Sequence, residues 1–355
     1  MHGGLSRVEL ARILRLAPST AGIYVDRLLK DGFLLEGEEV DRKYGHRPTL
    51  LTPNPQAGRF IGVDFEAHSL MTTVVDFSLH IVYRFRRSVP KGNSVERILK
   101  RIEEAIRTAL GSDKSPLLGI GVGVPGIIDA ARGLASFYEF VPGWENVPVG
   151  PHLKEAFNVP VAIENNIRSM AMAELWLGQG KGLRNFVCLG VRTGIGVGIV
   201  INGELYSGSH GGAGEIGEWP VSISRDSSPN ETLEQTASLD AILRAASAAT
   251  GRRTDITSLK SAMQMGDQRV QRVLERAASA HARIIRQLQQ LFDPERIIVV
   301  GPLAELGAAF LSPLSLEANR RNFLPPLAVV NSTFGEYGGA LGAAALALHR
   351  WIPQR

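Results

Sequence analysis

The sequence of 355 residues contains one cysteine, Cys188. A lone cysteine cannot form a disulfide within the chain, and it cannot supply the thiolates of a cysteine-rich zinc site. Cys188 lies in the apolar segment 186–189, which predicts a buried strand and a structural thiol. The sequence also lacks a secretory signal pattern and any apolar run long enough to span a membrane. We therefore expect a cytoplasmic protein with no membrane contact and no structural disulfide.

The chain has little excess of either charge. It contains 39 Lys and Arg against 35 Asp and Glu, a formal net charge of +4. The first 59 residues contain nine basic and seven acidic side chains, so the excess there is only +2. Bulk charge therefore does not indicate nucleic-acid binding, and any DNA contact must depend on where the basic residues are placed. A chain of this length with 44% hydrophobic residues is sufficient for two or three domains.

Residues 5–35 have the pattern of two helices separated by a turn. Ser6 is a suitable N-cap for the first helix, and Pro18 fits the first turn of the second. Two short strands are expected to follow, on either side of a basic tip. This order is typical of a winged helix-turn-helix DNA-binding domain, which we place at 1–52; the alternative is a helical hairpin with a solvated basic loop. The candidate DNA contacts are Ser19, Thr20, Tyr24, Arg27, Arg42, Lys43 and Arg47.

The remainder of the chain alternates between strand and helix patterns after a predicted linker at 53–59. The strand–glycine turn–strand pattern of 60–87 returns at 186–206, which predicts two similar α/β lobes with a cleft between them. Amphipathic or small-residue helices are predicted between and after these strands. The predicted strands are 60–64, 71–76, 81–87, 119–124 and 297–300, and the predicted helices are 94–110, 167–179, 239–249, 270–292 and 338–351.

The segment from Gly190 to Glu218 contains ten glycines in 29 residues, and we refer to it as the glycine-rich segment. Its first half lets backbone N–H groups converge on an anion such as a phosphate, because no side chains intervene. A tight hairpin that needs glycine for its positive φ angles is the alternative. The second half contains Glu215 and Glu218 three residues apart, an arrangement that suits hydrogen bonding to a polyol. The candidate phosphate-loop residues are Thr193, Gly194 and Gly196.

Three segments in this order resemble the ROK family (repressors, open reading frames and sugar kinases). They are 121–129 (GVGVPGIID), 160–166 (PVAIENN) and the glycine-rich segment. The resemblance implies a two-lobed, actin-like (ribonuclease H-like) α/β fold, with lobe 1 at 60–163 plus 340–355 and lobe 2 at 164–339. The N-terminal pattern is similar to that of the regulator branch, which includes xylose and N-acetylglucosamine repressors. That branch implies a homodimer or homotetramer on operator DNA and a sugar or sugar-phosphate effector.

The sequence departs from the kinases of this family at several motifs. Their Asp-x-Gly-Gly-Thr loop is replaced by residues 64–68 (DFEAH), so we expect the loop around Thr193 to be vestigial. Asn166 stands where the kinases have a general-base Asp, and an amide cannot accept the proton of a sugar hydroxyl. The zinc-binding loop of the family corresponds to residues 222–232 here, and this segment contains no cysteine. We therefore expect the chain to bind no metal. These departures predict a sugar sensor that has no cofactor and is not an enzyme.

The resemblance also implies which side chains contact the sugar. The two Asn residues have an alternative role as caps of the helix that follows, and the Glu residues have alternatives as solvated or helix-starting carboxylates. The family's repressors have a further helix before residues 5–11, so we expect either an upstream start or a reduced DNA-binding domain. An ATP-dependent hexose kinase and a regulator that answers to a protein partner remain the alternative functions. The candidate sugar contacts are Asn165, Asn166, Glu215, Glu218 and Glu234.

Overall fold

Two five-stranded sheets organise the chain, and each forms the centre of one lobe. The computed structural model describes residues 4–39, 49–66, 69–90, 92–111, 113–138, 140–221, 231–320 and 324–351, with the side chains of 38 and 39 excepted. Among the described helices, none is both long and apolar enough to cross a membrane.

A small N-terminal unit, from residue 4 to Pro53, precedes the two lobes. Its first helix begins after Ser6, whose side chain forms a capping box with Glu9, and its second begins at Pro18 as the sequence predicts. Two antiparallel strands follow. The apolar pattern of the second helix predicts that Ile23 and Leu28 are buried. This prediction is wrong, because the two residues are 70% and 41% exposed in the structure. The elements are α1 Arg7–Leu14, α2 Pro18–Lys30, β1 Leu34–Glu39 and β2 Thr49–Pro53.

The first lobe has the strand order β10-β6-β3-β4-β5. Its strands β10, β6 and β3 are parallel, and β3, β4 and β5 form an antiparallel meander. Ser94 precedes the amphipathic helix α3, which covers one face of the sheet. The elements are β3 Arg59–Glu66, β4 Ser69–Asp76, β5 Ile81–Ser88, α3 Val95–Leu110, β6 Leu117–Val124, β7 Ile127–Asp129, β8 Leu134–Phe137, β9 Glu145–Val147, α4 Val149–Phe157, β10 Val161–Asn165 and α5 Asn166–Leu177.

The second lobe has the strand order β13-β12-β11-β14-β15. Its hairpin β11–β12 contains the first half of the glycine-rich segment, and the long helix α9 packs into its hydrophobic core. Cys188 is buried in β11, as the sequence predicts. The elements are β11 Phe186–Val191, β12 Ile195–Ile201, β13 Glu204–Tyr206, α6 Leu233–Ala237, α7 Leu239–Thr250, α8 Ile256–Gln264, α9 Gln268–Phe292, β14 Arg296–Val300, α10 Ala308–Ala318 and β15 Ala328–Asn331. The helix that follows, α11 Gly338–Trp351, returns to the first lobe.

The last helix, α11, packs between the first sheet and α5. Its small residues permit this close approach, because a side chain at Gly342 would collide with the backbone of α5 at Ser169. At its other end, Trp351 contacts the N-terminal unit. The Trp351 and Phe33 rings lie 5.2 Å apart, and Phe77 of the first lobe lies 5.2 Å from Phe33. The predicted linker at 53–59 therefore lies beside a packed aromatic joint between the N-terminal unit and the first lobe.

Candidate functional site

A polar cleft of about 130 Å³ lies between the two lobes. It brings together four of the five predicted sugar contacts, and Gly194 and Gly196 of the glycine-rich segment also line it. Glu218 is exposed and is not among the residues that line this cleft. The four predicted residues in the cleft are Asn165, Asn166, Glu215 and Glu234.

Asn165 is both the N-cap of α5 and the support of Glu215. Its side-chain oxygen accepts hydrogen bonds from the backbone N–H groups of Ile167 and Arg168, at 2.8 and 3.2 Å. Its amide nitrogen donates to the Gly126 carbonyl at 3.0 Å and to the Glu215 carboxylate at 3.2 Å. The same side chain therefore caps α5 and orients the Glu215 carboxylate beside the cleft.

Glu215 lies where the cleft opens to solvent, and it is an exposed residue. Enough protein surrounds its carboxyl group to raise its pKa by desolvation, and the Arg168 guanidinium opposes this shift. Its carboxylate can therefore accept hydrogen bonds from a ligand while Asn165 holds it in place.

A buried ion pair beneath the cleft fixes the loop that contains Glu215. The Arg168 Nε donates to the Glu164 carboxylate at 2.8 Å, and both side chains are at most 3% exposed. Arg168 also donates to the Ala213 carbonyl at 3.0 Å. Arg168 is not among the site residues that the sequence predicts. Glu164 lies in β10 and Arg168 in α5, so the strand-to-helix junction at Asn165 brings the two side chains together.

Asn166 begins α5 and lines the cleft, and the residue is only 6% exposed. Within the part of the chain that the structure describes, its side-chain amide has no hydrogen-bond partner. Because an amide offers two donors and one acceptor oxygen, Asn166 can bind a hydroxyl group of a ligand in the cleft.

Glu234 connects the two halves of the glycine-rich segment. Its carboxylate accepts a hydrogen bond from the Ile195 N–H at 3.1 Å, and its own N–H donates to the Gly217 carbonyl at 3.0 Å. A side chain at Gly194 or Gly217 would press against this carboxylate, at 3.1 and 2.7 Å from its oxygen. The glycines here therefore make room for a glutamate.

Arg192 joins the lobes at the inner end of the cleft, and it is not among the site residues that the sequence predicts. Its guanidinium pairs with Asp64 at 2.8 Å and with Glu66 at 2.7 Å; we refer to these three residues as the Arg192 bridge. Burial lowers the pKa of Arg192, but the two carboxylates outweigh it and hold the pKa above its ordinary value. Burial raises the pKa of Asp64 to about 7, although Arg192 opposes the shift.

The cleft as a whole suits a polyhydroxyl ligand. Two asparagine amides and the carboxylates of Glu66, Glu215 and Glu234 line it, which provides acceptors and a few donors for hydroxyl groups. Among the described residues, no group of three or more His, Cys, Asp and Glu could hold a metal ion.

The candidate DNA contacts of α2 lie on its surface. Ser19, Tyr24 and Arg27 are exposed, and Thr20 is half-buried. Tyr24 and Arg27 also line a cavity of about 710 Å³ that Trp351 closes from the first lobe. Three further predicted contacts lie outside the described residues, namely Arg42, Lys43 and Arg47.

Curated relatives of the chain include repressors and sugar kinases. The xylose repressor of Caldicellulosiruptor bescii is 27% identical over 342 residues, which are 90% of this chain and 85% of that protein. The glucokinase of Thermotoga maritima is 28% identical over 312 residues, 82% of this chain and 98% of that protein. The Bacillus subtilis xylose repressor is 30% identical over 61% of this chain. The chain spans 56% of that repressor, and 57% of a relative from Caldicellulosiruptor sp. (strain Rt8B.4).

Solved structures show the same fold. A ROK family glucokinase from Streptomyces griseus, in complex with glucose and AMPPNP, has a TM-score of 0.74 at 26% identity and covers 82% of this chain and 100% of its own. A ROK family transcriptional regulator, a homologue of the E. coli MLC protein, has a TM-score of 0.81 at 21% identity; it covers 99% of this chain and 93% of its own. The predicted α/β sugar-kinase-like fold is thus confirmed. Residues 60–350 match the model of the ROK family, and the chain belongs to that family.

Proposed function

We propose that the chain is a sugar-responsive transcriptional repressor, which binds operator DNA through the N-terminal unit and a sugar in the cleft without phosphorylating it. One observation supports this most strongly. A helix–turn–helix unit is packed, through Phe33 and Trp351, onto a lobe whose cleft is lined by amides and carboxylates. Relatives named xylose repressor and relatives named glucokinase agree with the sugar-related part of the proposal.

The two helices and two strands of the N-terminal unit support its assignment to the winged helix-turn-helix class. Ala21 and Val25 of α2 are buried against the unit, so the opposite face of α2, with Ser19 and Arg27, is turned to solvent. In this class of domain the second helix of the pair enters the major groove and the strands form the wing. We assign DNA recognition to that exposed face, and we expect a homodimer or homotetramer to bind a two-fold symmetric operator.

We infer that sugar binding is accompanied by a separation of the lobes from the arrangement described here. The cleft has about 130 Å³, well below the roughly 300 Å³ at which small-molecule pockets begin. A sugar would therefore bind a more open arrangement and shift the population toward it. The three carboxylates in the cleft favour an uncharged saccharide over its phosphate, because like charges at short range repel each other.

The last helix supplies a physical route from the cleft to the DNA-binding unit. At its start, Gly339 packs so closely on Asp64 that any side chain there would collide with the carboxylate. At its end, Trp351 packs on Phe33 of the N-terminal unit. The helix has 14 residues, which is about 21 Å at 1.5 Å per residue. A change in the Arg192 bridge would therefore act on the same rigid helix that holds the N-terminal unit.

The absence of a carboxylate at Asn166 supports binding without phosphoryl transfer. An amide can hold a hydroxyl group by hydrogen bonds, but it cannot take the hydroxyl proton. Loss of a general base typically costs about 10²–10⁴ in rate. The alternative function, an ATP-dependent hexose kinase, has support from the glucokinase relatives. A coupled assay of ADP release over a panel of hexoses separates the two, since clear turnover above the background rate would establish the kinase.

Calorimetric titration of a panel of pentoses, hexoses and their phosphates tests the sugar site. We expect one or more uncharged sugars to bind the wild-type protein. The Asn166→Ala variant should bind at least about tenfold more weakly, because it loses a hydrogen-bonding amide and tenfold in affinity corresponds to about 1.4 kcal/mol. Glu204→Ala is the matched control, because Glu204 is an exposed carboxylate of β13 that does not line the cleft, and its loss should leave the affinity unchanged. The sugar site would be disproved by a panel in which no compound binds.

A further inference from the structure

The turn between β11 and β12 presents two backbone N–H groups, and a carboxylate accepts a hydrogen bond from each. The Thr193 N–H donates to Glu66 Oε1 at 3.1 Å. The Ile195 N–H donates to Glu234 Oε2 at 3.1 Å. Convergent N–H groups in a turn form a concave site that attracts anions. The carboxylates of this chain therefore take the position that an external anion would take.

Both oxygens of the Glu66 carboxylate have a hydrogen-bond or ion-pair partner. While its Oε1 accepts from Thr193, its Oε2 lies 2.7 Å from the Arg192 guanidinium, and its side chain is only 15% exposed. A backbone N–H beside a guanidinium is the donor pair that proteins use to bind phosphate groups. Glu66 is also a residue of the cleft lining, so its carboxylate faces the space in which a ligand would bind.

One carboxylate other than Glu66 is sufficient to neutralise the charge of Arg192. The Arg192 guanidinium already pairs with Asp64 at 2.8 Å, and Asp64 is fully buried. Loss of Glu66 would leave the Thr193 N–H and one edge of the guanidinium without their acceptor. The vacated space would then be an anion site that opens into the cleft.

We propose that Glu66 is a built-in ligand of an anion-binding site formed by Arg192 and the Thr193 backbone, and that it excludes phosphate groups from this end of the cleft. The site joins β3 of the first lobe to the β11–β12 turn of the second, so the same contact ties the lobes together. This role goes beyond the proposed function and holds whether or not the cleft binds a sugar.

The Glu66→Ala variant, titrated with pyrophosphate and with inorganic phosphate, tests this proposal. We expect wild-type protein to bind neither anion above the background at matched ionic strength. At pH 8, where the Asp64 carboxyl is ionised and still neutralises Arg192, Glu66→Ala should bind pyrophosphate in the millimolar range, at least about tenfold more tightly than wild type. Its thermal midpoint should be lower than that of wild type and should rise again when pyrophosphate is added.

Glu103→Ala is the matched control, since it removes a carboxylate that pairs with Arg107 on α3 at 2.7 Å and does not line the cleft. A folded Glu66→Ala that binds pyrophosphate no better than wild type or the control would overturn the proposal. If Glu66→Ala does not fold, Glu66→Thr decides by the same comparison, because threonine favours the strand β3 and its short side chain still vacates the carboxylate position. The test uses neither sugar nor DNA, so its failure and that of the proposed function are separate results.

Discussion

The Arg192 guanidinium lies 2.8 Å from the Asp64 carboxylate, and the two residues belong to different lobes. Arg192 follows β11 of the second sheet, and Asp64 is near the end of β3 in the first. Their side chains are 4% and 0% exposed, so solvent does not screen the pair. The second oxygen of Asp64 has no hydrogen-bond partner within the described residues. The closed arrangement of the lobes thus depends on one cation shared by two carboxylates.

Replacing Arg192 by Met should strongly destabilise the protein. The substitution keeps an apolar side chain but leaves Asp64 and Glu66 without their buried cation, which typically costs about 3–5 kcal/mol in free energy of unfolding. Urea denaturation measures this cost. Arg86→Met is the control, since that arginine is 55% exposed and should contribute less than about 1 kcal/mol. Equal effects of the two substitutions would show that the Arg192 bridge does not hold the lobes.

Asp64 should make stability depend on pH below neutrality. Burial raises its pKa in the folded protein to about 7, against 3.8 as the ordinary value. Between these values the folded protein retains a proton that the unfolded chain has lost. The free energy of unfolding should therefore fall as pH rises through this window, by up to about 1.4 kcal/mol per pH unit.

The Asp64→Asn variant isolates this effect, because its amide does not titrate. The stability of wild type relative to this variant should be greatest near pH 4, decline up to about pH 7, and stay level above it. Urea midpoints of both proteins at several pH values provide the comparison. A difference that does not change over this range would mean that Asp64 has an ordinary pKa.

Asn165 should contribute to both stability and ligand affinity. Asn165→Ala removes the cap of α5, which costs about 0.5–2 kcal/mol, and frees Glu215 from its donor. Asn165→Asp keeps the capping oxygen but brings a second carboxylate against Glu215. We expect the Asn165→Asp variant to retain more stability than the Asn165→Ala variant and still to lose sugar affinity. If the Asn165→Asp variant binds sugar as well as wild type, Asn165 acts only as a cap.

The sequence predicts most of the elements because their signals are local. Ser6, Pro18 and Ser94 mark helix starts that the structure confirms, and the predicted helix 338–351 matches α11 in full. Asn165 caps α5, which is the alternative role that the sequence indicates for it, since a polar residue before a helix start is a local pattern. Its contact with a sugar stays a prediction. The buried face of α2 was predicted less well, because its Ile23 and Leu28 lie outside the core despite their hydrophobicity.

The Arg192 bridge has no local signal. Arg192 and Asp64 are 128 positions apart in the chain, and only the packing of one lobe against the other brings them together. A carboxylate at Glu66, in the segment 64–68 that replaces the phosphate loop of the kinases, predicts repulsion of an anion. In the structure the Glu66 carboxylate pairs with Arg192, a partner that the sequence does not indicate. The same negative charge that would repel an anionic ligand therefore attracts a cation of the chain.

The joint between the N-terminal unit and the first lobe should transmit the effect of the sugar. Phe33→Ala removes the ring that contacts Phe77 and Trp351. We expect sugar affinity to stay within about twofold of wild type, while the change in DNA affinity on sugar binding is lost. Phe137→Ala is the control, because that ring is 55% exposed in the first lobe. Calorimetry and DNA titration together measure the two affinities, and an unchanged sugar effect in Phe33→Ala would exclude this joint as the route.

The DNA affinity of the wild-type protein, measured with and without sugar, tests the central claim most directly. Duplexes enriched by the protein from a random-sequence library provide the DNA, and fluorescence anisotropy provides the dissociation constant. We predict specific binding that an uncharged sugar changes by about 5- to 150-fold, the usual range of coupling between two sites. Specific DNA binding that no sugar in the panel alters, or no specific DNA binding at all, would contradict the account.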